Sequence, residues 1–207
     1  GFATQKGTVP LDLAKDPVFA RAKGTVPFCV AKRPASPTRH SNAIAVQRLP
    51  WDTEKTTMTH YRNDLAFIHD AGFGHVAANA AVELLQLLQA RGVSSGLVVD
   101  LACGSGILAE KVSGAGYDVL GVDLSQEMLA LARRRAPKAS FRQGSLLSVE
   151  IPPCVAVSMV GECLNYLFDP GNSTAARRRL WRRIHQALAP GGLLLCDVAG
   201  PGRLGAP

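Results

Sequence analysis

The sequence VVDLACGSG, residues 98–106, is the most informative segment of the chain. It begins with a short apolar run, which is typical of a strand buried inside a parallel sheet. A glycine-rich turn, Gly104-Ser105-Gly106, follows the run, and apolar residues after the turn begin a helix. Because ligands bind beyond the carboxyl ends of the strands in such sheets, this turn marks the predicted ligand site.

On either side of this turn, the sequence alternates between predicted helices and predicted strands. Helices are predicted over 76–91, 107–115, 126–135 and 174–188, and strands over 97–101, 117–122, 140–142, 155–160 and 193–198. Apolar positions from Tyr61 to Phe73 also have helical spacing, which Gly72 and Gly74 are expected to interrupt. The alternation predicts an α/β fold: a Rossmann-like, doubly wound parallel sheet of about five strands with N-terminal helices.

The first quarter of the chain has a different character. Residues 1–57 contain six prolines, no sustained periodicity and two copies of KGTVP, at 6–10 and 23–27. They are predicted to form an irregular, flexible basic tail, and residues 58–207 the globular domain. Five of the seven net positive charges lie in the tail. The charge therefore gives no reason to expect that the domain binds nucleic acid.

Three further patterns bear on partners and compartment. The arginines Arg177-Arg178-Arg179, Arg182 and Arg183 share a predicted helix with apolar Leu180 and Ile184. They are interpreted as its solvated face rather than as a nucleic-acid patch. Five cysteines form neither a CxxC pair nor a zinc-binding spacing, which favours a reducing, cytoplasmic compartment and no metal site. No apolar run has the length of a transmembrane helix, so no membrane contact is expected.

Two acidic residues at the ends of predicted strands narrow the class of ligand. Asp100 lies four residues before Gly104, and Asp123 ends the next strand, nineteen residues after Gly104. A carboxylate beside the helix N-terminus disfavours a pyrophosphate but suits a cationic group. A carboxylate at the second strand end can accept hydrogen bonds from both ribose hydroxyls. The ligand implied has a ribose, a cationic end and no phosphate, so a nicotinamide dinucleotide is less favoured.

Three motifs of the chain resemble, in order and spacing, those of class I S-adenosylmethionine-dependent methyltransferases. They are VVDLACGSG at 98–106, YDVLGVDLS at 117–125 and LAPGG at 188–192. The segment VGECLNY at 160–166 is similar to that of broad-specificity, small-molecule members. The resemblance covers about residues 58–200. It implies methyl transfer from S-adenosylmethionine to an unidentified small-molecule acceptor, with a non-catalytic or truncated adenosylmethionine-fold binding module as the alternative.

The resemblance also assigns roles to individual residues. The residues expected to bind the cofactor are Asp100, Ala102, Cys103, Gly104, Ser105, Gly106, Asp123, Leu124, Met128, Gly144, Ser145, Leu146, Val160 and Tyr61. Residues 100–106 would hold the methionine moiety, Asp123 the ribose hydroxyls, and Leu124 with Met128 the adenine. Glu162 is the candidate general base.

The sequence departs from the family pattern at two places. After the third predicted strand the family usually has an acid beside the adenine amino group, where this chain has Gly144-Ser145-Leu146. Ser145 can accept one hydrogen bond there but carries no charge. The family also adds a final pair of strands, which the sequence up to Pro207 lacks. The fifth strand is therefore expected to have an uncovered edge, through which copies of the chain could associate; a fragment is favoured over cover by the tail or by another chain.

Overall fold

The computed structural model describes residues 19–21, 29–32, 63–165 and 169–198, and describes side chains from residue 74 onward. The strands are β1 (Phe19–Arg21), β2 (Cys29–Lys32), β3 (Leu97–Leu101), β4 (Asp118–Asp123), β5 (Ser140–Gln143), β6 (Cys154–Met159) and β7 (Leu188–Cys196). The helices are α1 (Asn63–Gln89), α2 (Ile107–Gly114), α3 (Gln126–Arg135) and α4 (Thr174–Ala187), and a 3₁₀ turn spans Cys163–Asn165. Within this part of the chain, no helix combines the length and the apolar character needed to cross a membrane.

The strands form one sheet in the order β1-β2-β7-β6-β3-β4-β5. The five strands from β7 to β5 are mutually parallel, as the alternation of strands and helices predicted. The chain moves from β3 to β4 and β5 on one side, and then returns to place β6 and β7 on the other. The order therefore reverses beside β3, and a crevice forms at such a switch point in a doubly wound sheet.

Helices cover both faces of the sheet. Strand residues alternate between the two faces, so Val98 packs with α1 and α2 whereas Val99 packs with α4. The core on the α1 and α2 face includes Leu84, Leu88 and Leu108, while Leu180 and Ile184 of α4 lie in the other core. Burial on both faces explains why the central strands are apolar throughout rather than alternating.

Helix α1 is longer than the sequence predicts. Gly72 and Gly74, expected to interrupt it, lie inside one continuous helix of 27 residues. Glycine lowers helix stability by only about 1 kcal/mol, which tertiary packing can outweigh. A Cβ atom on Gly74 would lie 2.8 Å from Cδ1 of Ile107, so the missing side chain allows α1 to approach α2 closely.

The edge of β7 is covered, contrary to the expectation of an exposed fifth strand. β2 pairs antiparallel with β7, with Val30 opposite Leu195, and β1 pairs antiparallel with β2. The predicted irregularity of residues 1–57 therefore does not hold at these two short segments, and β2 occupies the β7 edge. Self-association of the chain stays a prediction. Proline blocks long strands, but the four residues of β2 fit between Pro27 and Pro34. The unpaired N–H and C=O groups at the edge of an apolar strand such as β7 favour pairing with a short strand of this kind. The division of the chain at residue 57 stays a prediction.

Strand β7 begins earlier than predicted, directly after α4. Leu188 pairs with Cys154, and regular pairing resumes at Leu193 opposite Ala156. The intervening Pro190-Gly191-Gly192 turn thus forms an irregularity within the strand, where a helix end and a separate strand were expected.

Deleting residues 1–57 should expose the backbone of β7. We expect amide exchange at Leu193–Cys196 to accelerate about fivefold or more, because a lost ladder hydrogen bond costs about 1 kcal/mol. Hydrogen exchange read by mass spectrometry measures this, and the amides of β3, which lies between β6 and β4, serve as the internal control. Unchanged exchange in β7 would contradict its pairing with β2.

Candidate ligand-binding site

A cavity of about 140 Å³ lies at the carboxyl ends of β3, β4 and β6, where the strand order reverses. Its lining comprises Ala102, Gly104, Val122, Asp123, Leu124, Ser125, Met128, Gly144, Leu146, Leu147, Val160, Gly161, Cys163, Leu164, Asp169 and Asn172. Most of these side chains are apolar, and carboxylates occur at two places. An apolar cavity with a few polar groups is the usual form of a small-molecule site.

Asp123 joins the two loops that form the cavity. Its Oδ2 accepts a hydrogen bond of 2.9 Å from the N–H of Gly104, and its Oδ1 accepts one of 2.8 Å from the N–H of Ser125. Gly104 belongs to the turn after β3, and Ser125 caps α3 by accepting a hydrogen bond from the N–H of Met128. The single carboxylate therefore fixes both loops relative to each other at the cavity wall.

Asp100 is a buried carboxyl group behind the glycine-rich turn. It is 3% exposed, and its Oδ1 accepts a 2.7 Å hydrogen bond from the hydroxyl of Ser158. Its Oδ2 has no hydrogen-bond partner among the residues that the structure describes. Burial raises the pKa of Asp100 to about 7, with a smaller rise from the charge of Asp123 and an opposing effect of the Ser158 hydrogen bond. A positively charged ligand group nearby would favour its ionised form.

The glycine-rich turn is held tightly against α3. Gly106 has a φ of 80°, and a Cβ atom there would lie 2.9 Å from the Cα and Cβ atoms of Ala132. Arg135, at the end of α3, donates hydrogen bonds of 2.7 and 2.6 Å to the carbonyl and hydroxyl oxygens of Ser105. Position 106 thus requires glycine, both because of its backbone conformation and because the backbone there approaches α3 closely.

A second buried carboxyl group supports the wall after β6. Asp197, 5% exposed, follows β7, and its Oδ1 accepts a 2.8 Å hydrogen bond from the N–H of Glu162. Glu162 has a φ of 55°, which is uncommon for a residue with a side chain. Burial raises the pKa of Asp197, and hydrogen bonds from the backbone of Gly161 oppose the rise. The carboxyl group therefore helps to hold a strained turn at the cavity.

Two of the five arginines of α4 contact the loops of the cavity. The prediction that all five arginines form a solvated face is therefore wrong for these two. Arg183 donates to the carbonyl oxygens of Val149 and Leu146, the latter at 3.1 Å. Arg177 donates to Oδ1 of Asn172 at 2.7 Å. Guanidinium groups reach these carbonyls because the loops pass over the same side of the sheet as the helix. Arg178, Arg179 and Arg182 are exposed, as predicted.

The structure brings together many, but not all, of the residues predicted to bind a cofactor. Those that line the cavity are Ala102, Gly104, Asp123, Leu124, Met128, Gly144, Leu146 and Val160. The other predicted residues lie around this wall without lining it: Asp100, Cys103, Ser105, Gly106, Ser145 and Glu162. Burial raises the pKa of the Cys103 thiol, which keeps it neutral. Tyr61 lies outside the described residues.

Sequence reasoning missed Asp169 and Asn172, which reach the cavity from the segment after β6. They line it together with Cys163 and Leu164, which belong to the VGECLNY segment. Asp169 is bonded to the hydroxyl of Ser145, from the loop after β5. Neither Asp169 nor Asn172 belongs to a motif, and only the packing of this segment across the sheet brings them to the site. The VGECLNY pattern was the available signal for the start of the segment.

Comparisons with known proteins agree with this geometry. Residues 98–192 match a family model described as a methyltransferase domain. The chain is 29% identical, over 149 residues, to dTDP-4-amino-2,3,4,6-tetradeoxy-D-glucose N,N-dimethyltransferase of Saccharopolyspora spinosa, covering 70% of this chain and 59% of the relative. The chain spans about half the length of the curated relatives it matches, 41%, 59% and 42% for three of them.

Solved structures give the same result. DesVI of Streptomyces venezuelae superposes with a TM-score of 0.57 at 25% identity, covering 68% of this chain and 59% of that one. A complex of DhpI with SAH superposes with a TM-score of 0.52 at 26% identity, covering 69% and 67%. The Rossmann-like arrangement predicted from the sequence is confirmed by these superpositions and by the sheet itself.

Replacing Asp100 with Asn should change how stability depends on pH. A carboxyl group whose pKa is higher in the folded chain than in the unfolded one favours folding below about pH 4, and this contribution is lost as the pH rises through about 7. The stability of Asp100→Asn relative to the wild type should therefore increase from pH 4 to pH 8, by about 4 kcal/mol at most. Urea unfolding at several pH values measures it. Asp118→Asn, at an exposed position of β4, is the control, and parallel pH curves for wild type and Asp100→Asn would contradict the account.

Gly106→Ala should destabilise the chain by about 2–4 kcal/mol, because it adds a strained backbone conformation to a clash with Ala132. Gly114→Ala is the matched control: the added Cβ meets no atom within 4 Å, and it should stabilise the end of α2 by up to about 1 kcal/mol. Thermal and urea unfolding compare the two variants. Equal effects would show that the turn does not pack on α3 as described.

Proposed function

We propose that this chain is a class I S-adenosylmethionine-dependent methyltransferase and that it catalyses methyl transfer from S-adenosylmethionine to a small-molecule acceptor. The observation that carries the proposal is the Asp123 carboxylate, held at the wall of an apolar cavity by the turn after β3. A strand-end carboxylate of this kind can accept hydrogen bonds from ribose hydroxyls.

The adenosine part of S-adenosylmethionine fits the wall after β4. The backbone N–H groups of Gly104 and Ser125 hold the Asp123 carboxylate at this wall, and a carboxylate, which accepts hydrogen bonds at both oxygens, is the type of group that binds ribose hydroxyls. Leu124 is 40% exposed although it is apolar, and it lines the cavity with buried Met128. An exposed apolar side chain beside a buried one suits the face of a purine base.

The methionine part fits the turn after β3. Ala102 lines the cavity with a φ of 59°, so the backbone turns sharply there. Asp100 lies directly behind, and its Oδ2 has no partner within the described part of the chain. An ammonium group would pair with this carboxyl group when it is ionised. Burying an unpaired charge costs free energy, and pairing it with an opposite charge reduces that cost. We assign Asp100 and the backbone of residues 102–106 to this end of the ligand.

Bound S-adenosylmethionine supplies a methyl group on a positively charged sulfur, already activated for displacement. The chain's own contribution is to orient the acceptor in line with that group and to exclude water. A general base is needed only when the acceptor atom carries a proton at working pH. We propose Glu162 for this role. Its N–H donates a hydrogen bond to Asp197, and this bond fixes the turn that carries Glu162 next to Gly161, which lines the cavity.

The acceptor is proposed from the relatives. The Saccharopolyspora relative is by name an N,N-dimethyltransferase of an amino sugar nucleotide. Amino sugar nucleotides are therefore the first acceptors to test. A cytoplasmic location stays a prediction from the cysteine pattern; Cys103, Cys154, Cys163 and Cys196 are free thiols in the structure.

Calorimetric titration should detect binding of S-adenosylmethionine and S-adenosylhomocysteine, and no comparable binding of NAD. Asp123→Asn, which keeps one acceptor oxygen, should weaken the binding of both ligands about tenfold or more, because hydrogen bonds to a charged group contribute about 1.5–3 kcal/mol. Transfer of a radiolabelled methyl group to a panel of amino sugar nucleotides then tests the reaction.

Asp118→Asn is the matched control, since Asp118 and Asp123 stand at opposite ends of β4. It should leave both affinities unchanged. Binding of NAD alone would contradict the proposal, and binding of S-adenosylmethionine without transfer to any acceptor would favour the non-catalytic binding module.

A further inference from the structure

Asp169 is a carboxylate in the cavity to which the proposed reaction gives no role. It lines the cavity beside Gly144 and Leu146, although it belongs to the segment between β6 and α4. The side chains around this end are mostly apolar: Leu124, Met128, Leu146 and Leu147. A carboxylate at the rim of an apolar slot selects for a ligand group that donates hydrogen bonds.

Both oxygens of this carboxylate are held in place. Oδ2 accepts a hydrogen bond from the hydroxyl of Ser145, and Oδ1 accepts one of 2.8 Å from the N–H of Gly171. The Ser145 oxygen in turn accepts a 3.0 Å hydrogen bond from the N–H of Leu147. The hydroxyl proton of Ser145 is thus committed to Asp169, which fixes the carboxylate against the loop after β5.

The turn that carries Asp169 is also fastened to α4. The carbonyl oxygen of Asp169 accepts a 2.9 Å hydrogen bond from the N–H of Asn172, and Oδ1 of Asn172 accepts from Arg177. Asn172 lines the cavity as well. The carboxylate therefore belongs to a turn that hydrogen bonds hold in place. A selective contact with a ligand requires a side chain that is positioned in this way.

We propose that Asp169 accepts a hydrogen bond from the exocyclic amino group of the adenine ring, and that Ser145 is the positioning residue that holds it there. The inference rests on the proposed function. The loop after β5 carries no acid of its own, since it reads Gly144-Ser145-Leu146, and Asp169 brings a carboxylate to it from the other side of the cavity. Direct contact of Ser145 with adenine, predicted from the sequence, is replaced by this indirect role.

Residues from the start and from the end of the segment between β6 and α4 line the cavity. Cys163 and Leu164 line the cavity at the start of the segment, next to Gly161, and Asp169 with Asn172 lines it at the end. Recognition of the base is thereby transferred from the loop after β5 to the segment that leads into α4. A ligand whose base lacks the amino group would leave the carboxylate buried against an apolar ring edge, which is unfavourable.

Paired affinities test the inference without any measurement of activity. Calorimetry of the full chain compares S-adenosylhomocysteine with its 6-deamino analogue, in which hydrogen replaces the amino group. The wild type should bind the analogue about 30-fold more weakly, because a hydrogen bond to a charged acceptor is lost. For Asp169→Asn the ratio should fall to about threefold, because a neutral amide makes a weaker hydrogen bond. Asn also keeps an oxygen for the N–H of Gly171, so the turn is preserved.

Ser145→Ala should give an intermediate ratio, since the carboxylate remains but loses its hydroxyl donor. Asp118→Asn, remote from the cavity on β4, should keep the wild-type ratio. Urea unfolding of each variant separates a general loss of structure, which weakens both ligands equally, from a loss of selectivity.

Each result decides the inference. A ratio that is the same in the wild type and Asp169→Asn overturns it while leaving the proposed function intact, because S-adenosylhomocysteine still binds. A wild-type chain that binds neither ligand overturns the cofactor site and this inference with it. A Ser145→Ala ratio equal to that of the wild type overturns the positioning role of Ser145 alone.

Discussion

The site depends on one carboxylate, that of Asp123, which accepts hydrogen bonds from the backbone of Gly104 and Ser125. These two residues begin the turns that follow neighbouring parallel strands, and parallel strands bring such turns to the same edge of the sheet. Without a shared acceptor, the N–H groups of both turns would point into the cavity unpaired, at a cost comparable to a lost hydrogen bond each. The carboxylate satisfies them and at the same time presents its charge to the cavity.

That charge has consequences for the groups around it. Asp123 contributes to the raised pKa of Asp100, whose main cause is burial, and burial also raises the pKa of Asp197, which follows β7. Three acidic residues thus lie at or near the carboxyl ends of three strands of the parallel sheet. Such a site stabilises positive charge, because every carboxyl group that a cation allows to ionise adds to the interaction. A cationic sulfonium with an ammonium group is a ligand of that kind.

The outer wall of the site is held by a different set of contacts. Guanidinium groups of Arg177 and Arg183 reach from α4 to the loops after β5 and β6, and Ser145 bonds to Asp169 across the cavity. The inner wall is therefore held by hydrogen bonds from backbone N–H groups to carboxylates at strand ends. The outer wall is held by arginine side chains of α4 and by the bond between Ser145 and Asp169. Asp123 of the inner wall belongs to a sequence motif, whereas Arg183 and Asp169 of the outer wall do not.

Local periodicity and motifs contiguous in the chain were enough to predict the parallel sheet, the order of its helices and strands, and the cavity-lining positions Gly104, Asp123, Leu124 and Met128. Three features depend instead on packing in the folded chain: β2 covers β7, α1 continues through Gly72 and Gly74, and Asp169 contacts Ser145. Each of these is a contact between segments at least 24 residues apart or a local preference outweighed by packing. Such contacts are set by which backbone groups and surfaces remain unpaired once the sheet has formed, and no pattern within a single segment records them.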